Sequence, residues 1–196
     1  MREDRGHAMA DIRRNNLFLL EIQEEGRTLR QYASVAVVGR VARGTVVVGD
    51  ALDLVGFAPE PRRVMLRDII TTEHGPYFML DGVVNRDIVC GQVLVTPGTL
   101  APARRFRAEV IFYDHHAKIR RQPVDSVCRF RFRIRHTTVS GALRLPKGKA
   151  APSPGDRFVA TIELQKDFAL EVGLRFGIGH LLGQGAVVEV LHPLPT

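Results

Sequence analysis

The chain of 196 residues carries a formal net charge of +7, and hydrophobic residues make up 45% of it. This length allows one large domain or two small ones, and the hydrophobic share is high enough for packed cores, which excludes a disordered chain. No apolar run approaches the ~18 residues of a membrane helix, and two cysteines exclude a disulfide framework, so we expect a soluble cytoplasmic protein with no membrane partner.

The first half of the chain begins with a charged segment and continues with short strands. We interpret residues 1–16 (MREDRGHAMADIRRNN) as a flexible tail, in which Met9 is an alternative start to Met1. Short apolar and β-branched segments then predict strands at 17–22, 32–41, 45–48, 51–55, 64–70, 77–80 and 92–95. The turn Thr96-Pro97-Gly98 ends this series. We therefore expect a first domain over 17–99 and a boundary near 98–102.

Basic residues concentrate in the second half. Residues 1–99 carry 12 Lys and Arg against 13 Asp and Glu, whereas residues 100–196 carry 16 against 8. An excess confined to one half indicates two units, one of them with a surface suited to polyanions. Further strands are predicted at 106–113, 127–135, 141–145, 157–164, 173–178 and 185–191. Many short strands without a sustained 3.6-residue period predict an all-β protein of two consecutive small β-barrels, the second over 100–196.

The segment Val127–Arg135 (VCRFRFRIR) has the most regular alternation in the chain. One face of the predicted strand takes Phe130, Phe132 and Ile134, and the other takes Arg129, Arg131, Arg133 and Arg135. Such an arginine row suits the phosphates of an RNA backbone. It also suits an acidic protein surface, or a solvated face compensated by a cross-strand acid such as Glu163.

Patterns that carry catalysis or metal binding are weak in this sequence. The stretch 141–149 has glycines and a lysine, but not the spacing or the following hydroxyl of a phosphate loop. Cys90 and Cys128 lack the neighbours of a metal site or a catalytic thiol, and His115-His116 is more typical of a solvated loop. We predict no catalytic residue, no metal and no cofactor, with an enzyme built from distant residues as a minor alternative.

Several turn sequences resemble the second and third domains of bacterial elongation factor Tu. Val37–Phe57 (VVGRVARGTVVVGDALDLVGF) is similar to the GRVxRG and VGD turns near the start of the second domain. Asp81–Leu100 (DGVVNRDIVCGQVLVTPGTL) is similar to the run that closes it. Ser140–Gly148 (SGALRLPKG) and Ala169–Ile178 (ALEVGLRFGI) have counterparts in the third domain, in the same order. The resemblance covers about residues 17–192 and implies two consecutive β-barrels.

The resemblance also implies a role in translation. The family's GTP-binding domain and its P-loop have no counterpart in this chain, so we expect a non-catalytic binding module. By alignment, Arg131, Ser140 and Lys166 fall at family positions that face the T stem of tRNA, and the rest of the arginine row joins them as candidates. Expected partners are tRNA, ribosomal RNA, or a GTPase or other translation protein. The alternative is a scaffold or decoy that binds a GTPase domain or another acidic protein in trans.

Overall fold

The computed structural model describes residues 17–28, 34–73, 75–113, 127–148, 152–153 and 155–192. It is an all-β structure with two consecutive barrels, which confirms the predicted fold class. One unit spans residues 1–56 and 60–101, and the other spans 57–59 and 102–196. The chain therefore divides after Ala101, while the short segment Phe57–Pro59 groups with the second unit. The predicted tail, residues 1–16, lies outside the described residues.

The first unit is an antiparallel sheet that closes on itself. Its strands are β1 (Leu19–Ile22), β2 (Arg27–Thr28), β3 (Val35–Arg43), β4 (Ala51–Val55), β5 (Arg62–Thr72), β6 (Gly75–Asp81) and β7 (Val93–Val95), with a 3-10 turn at Asn85–Asp87. The strand order is β1-β7-β4-β5-β6-β3-β2, and pairing of β1 with β3 closes the barrel. Inward-facing aliphatic side chains such as Leu20, Val37 and Leu80 fill the interior. The alternation of these strands follows from one buried and one solvated face.

The segment Thr45–Val48, which we predict to be a strand, is a loop in the structure. β3 runs without a break to Arg43, and Gly44 then takes a left-handed φ of 72°. Asp50 closes the following turn by accepting a hydrogen bond from the backbone N–H of Val47 at 2.9 Å. Val47 and Val48 are exposed despite their β-branched side chains, because turn geometry overrides strand propensity here.

The second unit is a closed six-stranded barrel. Its strands are β8 (Pro102–Phe112), β9 (Val127–Ile134), β10 (Thr137–Arg144), β11 (Arg157–Ala169), β12 (Arg175–Ile178) and β13 (Gly183–Leu191). They close in the order β10-β11-β8-β13-β12-β9. Aromatic rings fill its core, where Phe176 makes edge-to-face contacts with Phe106 and Phe132 at 5.6 and 5.9 Å between centroids. These rings anchor the inner face of the strand that carries the arginines.

The position of β9 in this barrel determines the surroundings of the arginine row. β9 pairs with β10 through a two-residue turn, and on its other side it pairs with β12. The hairpin with β10 is local, whereas β12 comes from a much later part of the chain.

Among the described residues, no helix has the length and apolar character that crossing a membrane requires.

Candidate nucleic-acid interface

Three arginines of β9 form an exposed row on the outside of the second barrel. Arg129, Arg131 and Arg133 are exposed, whereas the alternating Phe132 and Ile134 are fully buried. The predicted alternation is thus confirmed over these positions. Because side chains on one face of a strand repeat every ~7 Å, the row presents three guanidinium groups at a regular spacing.

Arg135 does not extend this row, so the predicted set of four is wrong at its last member. β9 ends at Ile134, and Arg135 opens the turn to β10 with a left-handed φ of 52°. Its side chain is only 1% exposed, and its Nη2 donates to Oε1 of Glu171 at 3.0 Å. The positive φ takes the side chain off the outer face of the strand, and the ion pair holds it inside. Arg135 is therefore a structural residue of the turn.

Small side chains flank the row on both sides. On β10, Thr138, Ser140 and Ala142 lie directly opposite the three arginines. On β12, Gly177 lies opposite Arg133, and a Cβ added to this glycine would be 3.6 Å from the guanidinium Nε. The guanidinium groups therefore project beyond the small glycine, alanine, serine and threonine residues beside them. Such a surface leaves their N–H donors accessible to a large, flat partner.

Two further arginines lie on the same outer surface of the second barrel as the row. Arg144 lies at the end of β10, opposite Val127, and Arg175 lies on β12; both are exposed. We call the outward side of β12, β9 and β10 the basic face. No local pattern in the sequence indicates Arg175, because only the pairing of β12 with β9 brings it beside the row.

The acid that we considered as compensation, Glu163, does not neutralise the row. It lies on β11 opposite Ala142 and Arg105, and because Ala142 on β10 lies between them, two strand separations, about 10 Å, stand between Glu163 and Arg129. Among the described residues, no ion pair joins any acid to Arg129, Arg131 or Arg133. The other acids of the second barrel, such as Asp167, pair elsewhere. The positive charge of the face is therefore uncompensated by neighbouring side chains.

The first barrel is close to neutral, and many of its charged side chains are paired. The ion pairs among its described residues include Arg27–Glu24, Arg40–Glu21, Arg62–Asp87, Arg63–Asp53 and Arg67–Asp81. A hydrogen bond from the Ser34 hydroxyl and a second from Arg67 lower the pKa of Asp81 below its usual value. Acids thus neutralise arginines within the first barrel, and the excess charge of the chain belongs to the second.

The two other candidate residues differ in their position. Ser140 lies directly opposite Arg131, so the structure brings these two together. Lys166 is exposed on β11, but the β10–β11 register ends at Gly141 and Leu164, and the strand pairing does not bring Lys166 to the row. Its Nζ lies 5.7 Å from the centroid of the Phe57 ring, a cation–π distance. We therefore place Lys166 outside the basic face.

The cysteines and histidines form no metal-binding cluster in the described part of the chain. Cys128 is buried inside the barrel, and the thiol of Cys90 donates to the carbonyl oxygen of Gln23 at 3.1 Å. No cluster of three or more His, Cys, Asp or Glu side chains suited to a metal ion is found among the described residues. The His115-His116 pair lies outside them.

Alkylation of Cys90 is expected to be slow at neutral pH. Burial, and the charges of Glu25 and Glu24, raise the pKa of this thiol above its usual value, so little thiolate is present at pH 7. The iodoacetamide rate constant of Cys90 in the folded protein should therefore reach half of its maximum at a higher pH than in the unfolded chain. A Cys128→Ser variant isolates the Cys90 signal, and the urea-unfolded chain gives the reference. Faster alkylation in the folded than in the unfolded chain at pH 7 would contradict this expectation.

The chemistry of the basic face is the main guide to the function of this protein. No protein-family model matches the sequence. The face offers guanidinium donors, a hydroxyl and a rigid backbone, and these groups bind anions such as phosphate or carboxylate.

Proposed function

We propose that this protein is a non-catalytic binding module whose second barrel binds RNA through the basic face. The observation that carries this proposal is the row Arg129, Arg131 and Arg133, whose guanidinium groups have no ion-pair partner among the described residues. Exposed cations repel one another when no acid compensates their charge, and a bound polyanion relieves this repulsion. Each phosphate contact also releases condensed counterions, which adds to the affinity.

The side chains of the basic face favour contact with the nucleic-acid backbone over the stacking of bases. Its outward positions hold arginine, threonine, serine, alanine, glycine and one valine, and the aromatic residues of these three strands point toward the core. One guanidinium group can donate two hydrogen bonds to the oxygens of one phosphate. Ser140 beside Arg131 adds a hydroxyl donor to such a contact. Binding through these groups depends little on the base sequence.

The resemblance to elongation factor Tu supports tRNA as the RNA in question. Arg131 and Ser140 correspond to family positions that face the T stem, and they are also the two candidates that the register places opposite each other. A double-stranded stem presents its phosphates on a regular surface, which matches the regular spacing of the row. We therefore propose a role in translation, through tRNA or ribosomal RNA.

The binding of tRNA should weaken steeply with salt. Three phosphate contacts predict a slope of about −2.7 in a plot of log K against log salt, or about 40-fold weaker binding at 200 mM than at 50 mM. Fluorescence anisotropy with labelled tRNA measures this slope. Binding that is absent at 50 mM salt, or that does not change with salt, would contradict the proposal.

A pull-down from lysate separates RNA from an acidic protein as the partner of the basic face. With RNA as the partner, RNase treatment removes the captured material. A protein that stays bound after RNase, and that is released when Arg129, Arg131 and Arg133 are replaced by alanine, would instead favour the scaffold function. The Arg67→Ala variant is a suitable control, since it removes a cation from an existing ion pair in the first barrel.

A further inference from the structure

A small cleft opens on the outer surface of the second barrel beside the basic face. It has a volume of about 200 Å³ and is lined by Glu109, Ile111, Arg175, Gln184, Gly185 and Ala186. This volume is below the ~300 Å³ at which pockets for drug-sized ligands begin, so the cleft suits a single ring system. Its walls carry a carboxylate, a guanidinium and an amide, and Ile111 supplies an apolar surface.

The strand register explains the shape of this cleft. On one rung of the barrel, Arg175 on β12 lies opposite Ala186 on β13, which lies opposite Glu109 on β8. Two strand separations, about 10 Å, therefore stand between the backbones of Arg175 and Glu109, with only a methyl group between their side chains. On the next rung, Gln184 lies opposite Ile111. A donor group and an acceptor group thus face each other across a gap that a planar ligand can fill.

Both charged groups of the cleft are available to a ligand. Among the described residues, Arg175 has no ion-pair partner. Glu109 has a contact of 3.7 Å with Arg157, in which the two side chains are 49% and 66% exposed. An exposed pair at this distance contributes little stability, so Glu109 can accept hydrogen bonds from a ligand.

The cleft continues into the basic face. Gln184 lies opposite Gly177, which lies opposite Arg133 of the arginine row. Because Gly177 has no side chain, nothing on this rung separates the cleft from the Arg133 guanidinium. A nucleic-acid strand whose phosphates contact the row can therefore place a neighbouring unpaired base in the cleft.

We propose that this cleft is a subsite for one unpaired guanine of the bound RNA. The inference rests on the proposed RNA binding and adds a base preference to it. Guanine has two donors, N1–H and the N2 amino group, for the Glu109 carboxylate, and two acceptors, O6 and N7, for the Arg175 guanidinium. The other three bases do not combine two donors for a carboxylate with two acceptors for a guanidinium. The side-chain amide of Gln184 can donate a hydrogen bond to, or accept one from, the remaining edge of the guanine base.

The test compares the affinity of the full chain for four single-stranded 12-nucleotide RNAs. One is oligouridylate, and the others carry a single central guanosine, inosine or 7-deazaguanosine. We expect the guanosine RNA to bind about 10-fold tighter than oligouridylate, since one bidentate base contact gives roughly this discrimination. Inosine lacks the N2 amino group and 7-deazaguanosine lacks N7, so both should lose most of the gain.

Two variants assign each lost contact to its residue. Glu109→Gln should remove the difference between guanosine and inosine, and Arg175→Lys should remove the difference between guanosine and 7-deazaguanosine while keeping the charge. Glu189→Gln is the matched control, because Glu189 is an exposed acid outside the cleft that pairs with Arg107. It should retain the full preference for guanosine.

The outcomes separate this inference from the proposed function. If tRNA binds but all four short RNAs behave alike, the guanine subsite is wrong and RNA binding by the basic face stands. If neither tRNA nor any short RNA binds at 50 mM salt, both proposals fail. A preference for guanosine that survives both Glu109→Gln and Arg175→Lys would also overturn the subsite.

Discussion

Replacement of Arg129, Arg131 and Arg133 together by alanine is expected to weaken tRNA binding by on the order of 100-fold at 0.1 M salt. The three guanidinium groups are exposed and have no ion-pair partner among the described residues, so their loss removes phosphate contacts and leaves the barrel intact. The slope of log K against log salt should become shallower by about 2.7, since each lost contact removes about 0.9. Anisotropy titrations at several salt concentrations measure both quantities.

Two control variants make this result specific. The triple variant Arg27→Ala, Arg62→Ala and Arg67→Ala removes the same charge from the first barrel, where each arginine pairs with an acid. It should change tRNA affinity much less. Replacement of the three β9 arginines by lysine keeps the charge and should retain most of the salt slope, because counterion release depends on charge. Equal losses in the alanine variant and in the first-barrel control would contradict an interface on the basic face.

Arg135→Ala is expected to lower the free energy of unfolding of the second barrel by about 2 kcal/mol. The substitution leaves Glu171 without the guanidinium that lies 3.0 Å away, inside a pair whose arginine is 1% exposed. A fully buried pair would cost more, but Glu171 is 25% exposed and regains some hydration. Urea unfolding followed by circular dichroism measures the change.

The left-handed φ of Arg135 supplies a second comparison. Glycine adopts this conformation without strain, so Arg135→Gly should be about 1 kcal/mol more stable than Arg135→Ala, although both lose the ion pair. Neither variant should change the salt slope of tRNA binding, because Arg135 lies off the basic face. A slope reduced as much as in a single Arg131→Ala variant would place Arg135 back in the interface.

The contrast between Arg133 and Arg135 shows where local alternation stops being informative. Both residues fit the same two-residue period in the sequence, yet one is exposed and the other is buried. The difference depends on where β9 ends and on the presence of Glu171, which follows β11 in the chain. A period-two pattern cannot show the end of a strand when the turn residue continues the pattern. The loop at Thr45–Val48 is a similar case, because its β-branched composition concealed a turn.

The sequence by itself determined the all-β class, the two barrels and the alternation of β9, because strand periodicity and turn residues are local properties of the chain. It also located the excess positive charge in the second half. Only the tertiary structure decided which strands flank the arginine row. That placement put Gly177 and Arg175 beside Arg133, kept Glu163 away from the row and formed the cleft between Arg175 and Glu109. These relations arise from barrel closure, which pairs strands that are distant in the sequence. Local residue patterns do not show which distant strands pair.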